Sequence, residues 1–351
     1  MGGPPGPSSA SVLPCDGHAR PRCDPCSCQH WWMDADLPPG YTVRAATPED
    51  AAALAELFNA VTLDEVGVAW TDEADTRATL TAPSFDPARD APLVFDAADS
   101  CVAALLLHPD GSPVTSVLAI GLVHPAATGR GLGTFVTLLA EERARRLIPA
   151  DSSRFTVRAT RFVQNEPAAE LFRDLRYERV RTWWRMAIEL GGEGDGTGAS
   201  LPAGLEIAPE PDGDPRAAYD ALHEAFRDHW GEGMGGYEDW VNRVVDGSAS
   251  RFVLVAREGA EIAGVLVGRA GLAADPEAGS VEELGVRRQW RGRGLGLALL
   301  QLAFDEFRRR GLARAMLTVD SENPTGATRL YERAGMTVEL AWEHWEKELR
   351  A

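Results

Sequence analysis

The chain repeats itself, and that constrains its fold more than any other feature. LPPGYTVRAATPEDAAALAELFNAV begins at Leu37, and LPAGLEIAPEPDGDPRAAYDALHEAF begins at Leu201. Each opens with Leu-Pro-x-Gly, runs through a short alternating stretch and a turn rich in Pro, Asp and Glu, and ends in an apolar pattern at helical spacing. GRGLG occurs at 129–133 and again at 292–296. An Asn-led segment then precedes Leu171 and Phe172 in one half, and Leu330 and Tyr331 in the other. Three landmarks in the same order, about 160 residues apart, mark a tandem duplication. The 351 residues therefore divide into two domains of ordinary size. These are expected at 34–190 and 201–351, with GGEGDGTGAS (191–200) as a flexible glycine-rich linker.

Residues 1–33 fit neither copy. They hold Cys15, Cys23, Cys26 and Cys28, four of the five cysteines, in a Pro/Gly/Ser-rich setting. CDPCSC has no second Cys/His pair at finger spacing, so a metal site is not expected there. The segment reads as a disordered tail or a start placed too early, with Met33 just before the repeat begins. Cys101 alone lies in the folded portion, which fits a reduced, cytoplasmic setting. Thirty-five Lys plus Arg against 53 Asp plus Glu give a net charge of −18. That surface argues against nucleic acid and anionic membranes and favours a cationic partner. No apolar run approaches the roughly 18 residues of a membrane span.

The second half alternates strand and helix. RFVLVA (251–256) and IAGVLVG (262–268) read as a hairpin, and SVEELGV (280–286) reads as a further strand. LALLQLAFDEFRRR (297–310) is a helix with Leu297, Leu300, Phe304 and Phe307 on one face and Gly311 at its end. ARAMLTV (313–319) is a strand, and TGATRLYERAG (325–335) is a short helix closed by Gly335. The class is α/β.

The stretch RRQWRGRGLGLALL (287–300) packs glycines and arginines between that strand and that helix. Glycines there let the backbone turn sharply, and a helix's first turn offers unpaired N–H groups at the positive end of its dipole. An anionic group, phosphate above all, is expected on Arg291, Gly292, Arg293, Gly294, Leu295 and Gly296, with the two guanidinium groups adding charge. No Lys-Ser/Thr follows, which excludes a P-loop, and G-x-G-x-G is not the dinucleotide fingerprint.

Arg291-x-x-Gly294-x-Gly296 resembles the acyl-CoA loop of the GCN5-related N-acetyltransferase (GNAT) family. SENPTGATRLYERAGM resembles that family's Asn-to-Tyr helix, with Asn323, Ala327, Leu330, Tyr331 and Gly335 in order. The likeness covers 201–349 well and 34–190 more loosely. It implies two tandem GNAT-like domains, each a mixed, mostly antiparallel sheet flanked by helices, with acetyl-CoA as cosubstrate. Leu284, Gly285 and Val286 would pair with the pantetheine arm, Asn323 would help hold that arm, and Tyr331 would protonate the leaving thiolate. Glu282 and Glu283 precede the pantetheine strand, where polyamine-acetylating members carry an acidic pair; either carboxylate is a candidate base or a lure for a cationic substrate. Strand alternation puts Glu282 on the face of Leu284 and Val286, and Glu283 on the other.

The first half departs from the pattern. Thr128 stands where the family has Gln or Arg, Phe172 occupies the tyrosine position, and Arg176 replaces the helix-ending glycine. This half is expected to be degenerate, with its glycine turn at Gly129, Gly131 and Gly133 intact. The layout is similar to that of tandem members such as mycothiol synthase, whose active half is the C-terminal one; a sugar-linked amine is then one option. The expected activity moves an acetyl group from acetyl-CoA to a primary amine of a small, cationic molecule by direct attack, in a monomer or homodimer. The second half has no cysteine for a covalent intermediate. No metal is expected, since His223 and His229 fall six apart. The alternatives are a non-catalytic acyl-CoA-binding or sensing protein, and an acetyltransferase acting on protein N-termini or lysines. Tryptophans 183, 184, 230, 240, 342 and 345 read as core or interface packing rather than a pocket.

Overall fold

The computed structural model describes residues 36–349 apart from 112–113, 151, 153, 192–199, 209–214, 229–235, 245–249, 273–274 and 324. The expectations for residues 1–33, for His229 and Trp230 and for most of the linker lie outside the described residues. The first half runs β1 (Thr42–Ala45), α1 (Ala51–Val66), α2 (Glu73–Leu80), α3 (Pro87–Asp90), β2 (Pro92–Phe95), β3 (Cys101–Asp110) and β4 (Ser116–Val123), then α4 (Leu132–Arg145), β5 (Phe155–Phe162), α5 (Glu166–Asp174) and β6 (Glu178–Glu189). The second half runs β7 (Glu206–Ala208), α6 (Pro215–Ala225), α7 (Tyr237–Val244), β8 (Arg251–Glu258), β9 (Glu261–Leu272) and β10 (Asp275–Val286), then α8 (Leu295–Arg309), β11 (Arg314–Asp320), α9 (Ala327–Arg333) and β12 (Thr337–Leu349).

The twelve strands of the described residues form one sheet, in the order β1-β2-β3-β4-β5-β12-β6-β11-β10-β9-β8-β7. Counterpart strands occupy the same places counted from either end, so the duplication read in the sequence is a twofold pattern in space. The centre of that pattern is the antiparallel pair β6 and β12, where Trp342 stands opposite Trp183. The last strand of each half has crossed over. β12 pairs with β5 of the first half, from Trp342 opposite Phe162 to Leu349 opposite Phe155. β6 pairs with β11 of the second, from Asp320 opposite Trp183 to Arg314 opposite Glu189. The sheet therefore runs unbroken across the boundary between the two halves.

Helices cover both faces of each half, which is why β3 and β9 are buried along most of their length rather than at alternate residues. In β3, Leu105 and Leu107 face α4, while Ala104 and Leu106 face α1. In the second half, Val265 and Val267 of β9 pack under α6 and α7, and Leu266 packs under α8. The buried face of α8 is broader than the four residues the sequence singled out. Leu295, Ala298, Leu299 and Ala303 are buried with Leu300, Phe304 and Phe307, whereas Leu297 is only half-buried. Gly311 follows that helix with φ +80°, in the left-handed conformation that ends it.

Candidate active site

Strands β4 and β5 run parallel only from Ser116/Thr156 to Ala119/Ala159. Strands β10 and β11 run parallel only from Ala278/Arg314 to Val281/Leu317. Beyond those points each pair diverges, so the ends of β4 and β10 keep one neighbour and lose the other. Leu284, Gly285 and Val286 pair with Leu266, Val265 and Gly264 of β9, and their other edge is open towards β11. Gly285 also sets how α6 covers this segment: a Cβ there would lie 2.8 Å from Leu222 and 3.0 Å from Ala225, so glycine admits the helix close to the strand.

The strand leads into the glycine turn. Gly292 (φ +75°) and Gly294 (φ +88°) are left-handed, and nothing lies within 4 Å of a Cβ built on either. Gly294 caps α8. No backbone carbonyl among the described residues accepts from the amides of 292–297. These donors stand at a helix start without a backbone acceptor, which fits the phosphates of a CoA-type ligand. The first half reproduces the turn at Gly129 (φ +72°) and Gly131 (φ +85°), ahead of α4.

The arginines of the loop do not stand free, as the sequence suggested. Arg291 donates through Nε to the Val286 carbonyl (3.0 Å) and through Nη2 to that of Ala225 (2.9 Å), tying the turn to β10 and α6. Arg293 pairs with Glu258 at 2.9 Å. Both guanidinium groups are engaged within the protein, whereas the amides of 292–297 have no backbone acceptor among the described residues. Asn323 is also occupied: its Oδ1 accepts from the amide (2.9 Å) and hydroxyl (2.5 Å) of Thr325, a turn that leads into α9.

Tyr331 is buried in the second-half core, and no hydrogen-bond partner for its hydroxyl is found among the described residues. Burial pushes its phenol up to about 12. The turn after α9 places it: Met336 N donates to Tyr331 O (3.0 Å) and Gly335 N to Glu332 O (2.9 Å). In the first half Tyr177 N donates to Phe172 O (2.8 Å) and Arg176 N to Arg173 O (2.9 Å). Phe172 is thus the geometric counterpart of Tyr331. Arg176 holds the glycine conformation at φ +65° without being glycine.

Glu282 and Glu283 do not fall on opposite faces by simple alternation. The pairing of β10 with β9 shifts register between Val281 and Glu283, and the irregularity brings both carboxylates to Arg243. Glu282 also takes Arg251 (2.9 Å), and Glu283 takes the Trp240 indole (2.8 Å). Neither carboxylate is a bare base in this arrangement.

A cavity of about 500 Å3 lies in the first half, in the V between β4 and β5. It runs from Gly129 and Gly131 past Phe172 to an end lined by Glu65, Trp70 and Trp342. Trp342 and His344 reach it on the crossed-over strand β12. Sequence reasoning missed this end. One signal was available: Phe58, Val61, Thr62 and Glu65 fall at i, i+3, i+4 and i+7 of α1, a single stripe ending in an acid. Nothing local announces that residues near 342 complete it. Among the described residues, no cluster of His, Cys, Asp or Glu could hold a metal, and no helix is long and apolar enough to cross a membrane.

Two splayed strand pairs, each feeding a glycine turn and a helix start, define a tandem acyl-CoA-dependent transferase fold. A family model described as acetyltransferase (GNAT) family matches residues 216–336. A mycothiol acetyltransferase of Thermobispora bispora is 32% identical over 257 residues, covering 70% of this chain and 79% of that protein. A mycothiol acetyltransferase of Geodermatophilus obscurus is 29% identical over 304 residues, covering 84% and 94%. A GCN5-related N-acetyltransferase structure from Sphaerobacter thermophilus superposes with a TM-score of 0.74 at 30% identity, covering 90% of this chain and 98% of that one. A tandem GNAT protein from the clavulanic acid biosynthesis pathway shares the fold, with a TM-score of 0.66 at 19% identity and 88% and 98% covered. The chain belongs to the GNAT family, in its tandem form. It is an N-acetyltransferase with acetyl-CoA as cosubstrate.

Proposed function

We propose that the second half, 201–351 completed by β6, transfers the acetyl group to a primary amine of a small molecule, and that the first half, 34–190, is not the transferase half. The observation that carries this reading is the opening of β10 away from β11 into a turn whose amides have no backbone acceptor among the described residues. Acetyl-CoA would lie with its pantetheine arm along Leu284, Gly285 and Val286 and its pyrophosphate on the amides of Arg291, Gly292, Arg293, Gly294, Leu295 and Gly296. Asn323 shapes the turn beside the arm. The amine nitrogen attacks the thioester carbonyl, the C–S bond breaks, and Tyr331 gives its proton to the departing sulfur. A phenol near 12 is a weaker acid than a thiol of about 8.5, so the gain comes from placement rather than driving force. Glu282 or Glu283 would take the amine proton, with Arg243 yielding the carboxylate as the cationic substrate enters. The name carried by the relatives makes a mycothiol-type small molecule the first acceptor to assay.

Calorimetric titration of acetyl-CoA, followed by a thiol-release assay with a panel of amines, tests the reading. Wild type should bind, and Gly294→Glu should not, because a carboxylate would stand where the phosphate goes. Thiol release should require a primary amine. Full binding by Gly294→Glu, or no release with any amine, would overturn the assignment.

A further inference from the structure

The far end of the first-half cavity holds a carboxylate that the fold leaves uncompensated. Glu65 accepts one hydrogen bond, from Asn165 Nδ2 at 2.5 Å, and makes no salt bridge among the described residues. Arg161, the cation that acts on it, is committed elsewhere. It pairs with Glu343 at 2.8 Å and donates to the carbonyls of Phe162, Val163 and Asn165 at 3.0–3.2 Å. Burial pushes the Glu65 carboxyl up, against the pull of Asn165. Holding a half-buried carboxylate beside an open cavity, without an ion-pair partner among the described residues, costs stability that a bound cation would offset.

The cavity that Glu65 lines also has aromatic walls. Trp70, Phe162 and Trp342 stand edge to face, with centroids 5.5, 5.8 and 6.4 Å apart. All three line the same cavity as Glu65. A carboxylate and aromatic rings lining one cavity are complementary to an ammonium on an apolar body, the charge meeting the acid and the body meeting the rings; the Arg185 guanidinium already lies over Trp70, 5.3 Å from its centroid. A volume of about 500 Å3 suits a small organic molecule. Trp342 arrives on β12, so the end is complete only when the second half has contributed its last strand.

We propose that this end of the first-half cavity is a binding site for an organic primary amine with an aromatic body, the ammonium on Glu65 and the body against Trp70, Phe162 and Trp342. It is separate from the second-half site and does not depend on acetyl transfer there.

The test is calorimetry on the full chain, without acetyl-CoA, using 2-phenylethylamine and tryptamine beside 2-phenylethanol and 3-phenylpropionate as neutral and anionic counterparts. The amines should bind and the counterparts should not. Glu65→Gln keeps an acceptor for Asn165 and removes the charge; it should weaken the amines about tenfold to a hundredfold. Trp342→Phe should weaken them less, and Gly294→Glu should leave them at wild-type strength. Equal binding of amine and alcohol, full binding by Glu65→Gln, or no binding of either amine would overturn the proposal. Loss of binding in Gly294→Glu with retention in Glu65→Gln would overturn it too, by placing the amine in the second half.

Discussion

At the scale of single residues, burial decides what each polar group can do. The Tyr331 ring packs in an apolar core and its hydroxyl makes no hydrogen bond among the described residues, so its removal breaks none seen there. Tyr331→Phe should leave the melting temperature nearly unchanged while lowering kcat about a hundredfold, in the range of a lost general acid. An equal fall in stability and rate would instead mark a packing residue. His344 gives the opposite kind of readout. Burial, and then the like charge of Arg158, lower its imidazole from the usual 6.5 to about 4. Between those two values the unfolded chain binds a proton that the folded chain does not. Stability is therefore present above about 6.5 and is lost as pH falls towards 4, by up to roughly 3 kcal/mol. Urea denaturation from pH 7 to pH 4 should show this slope in wild type and a shallower one in His344→Gln.

At the scale of elements, the two Asn-led helices end in the same pattern of hydrogen bonds but with different residues. Gly335 takes φ +90° freely, whereas Arg176 takes φ +65° against its Cβ. A left-handed residue other than glycine costs roughly 1–2 kcal/mol, partly offset by the entropy glycine loses on folding. Arg176→Gly should therefore stabilise the protein by about 0.5–1 kcal/mol, measured as a higher denaturation midpoint at unchanged slope. The glycine turn before α8 makes the complementary case. Gly294→Ala meets no neighbouring atom, so its cost is the backbone conformation alone, about 1 kcal/mol. Alanine at 294 should remain folded in circular dichroism, which separates strain in the turn from the loss of acetyl-CoA expected for Gly294→Glu.

At the scale of the whole molecule, the crossing of β6 and β12 makes the halves one unit. Trp345 and Leu349 of β12 are buried in the first-half core, and Met186 of β6 is buried in the second. Neither half of the chain can complete its own share of the sheet. Thermal unfolding should be one cooperative transition, with calorimetric and van't Hoff enthalpies equal, rather than two. Truncation after Met336 should unfold both halves. A chain cut between 191 and 200 should fold only when the two fragments are combined. Independent folding of the fragment 201–351 would contradict the interdependence of the halves.

The duplication, the α/β class, the glycine turn and the second-half elements from β8 to α9 were legible in the sequence, because each is set by local spacing or by a residue type that a turn requires; α7 and the crossing strand β12 were not. So was the match of Phe172 to Tyr331, since position within a repeat survives loss of the chemistry. The partners of charged side chains were not legible. Arg291 reads as a phosphate ligand until its donors are seen on Val286 and Ala225. Glu282 and Glu283 alternate on paper, but a one-residue irregularity in pairing brings both to Arg243. The cavity was hidden for the same reason. Its acid comes from α1 and its tryptophan from a strand almost 280 residues later in the chain. Periodicity reports which face of an element is apolar; only the assembled sheet decides which elements those faces meet.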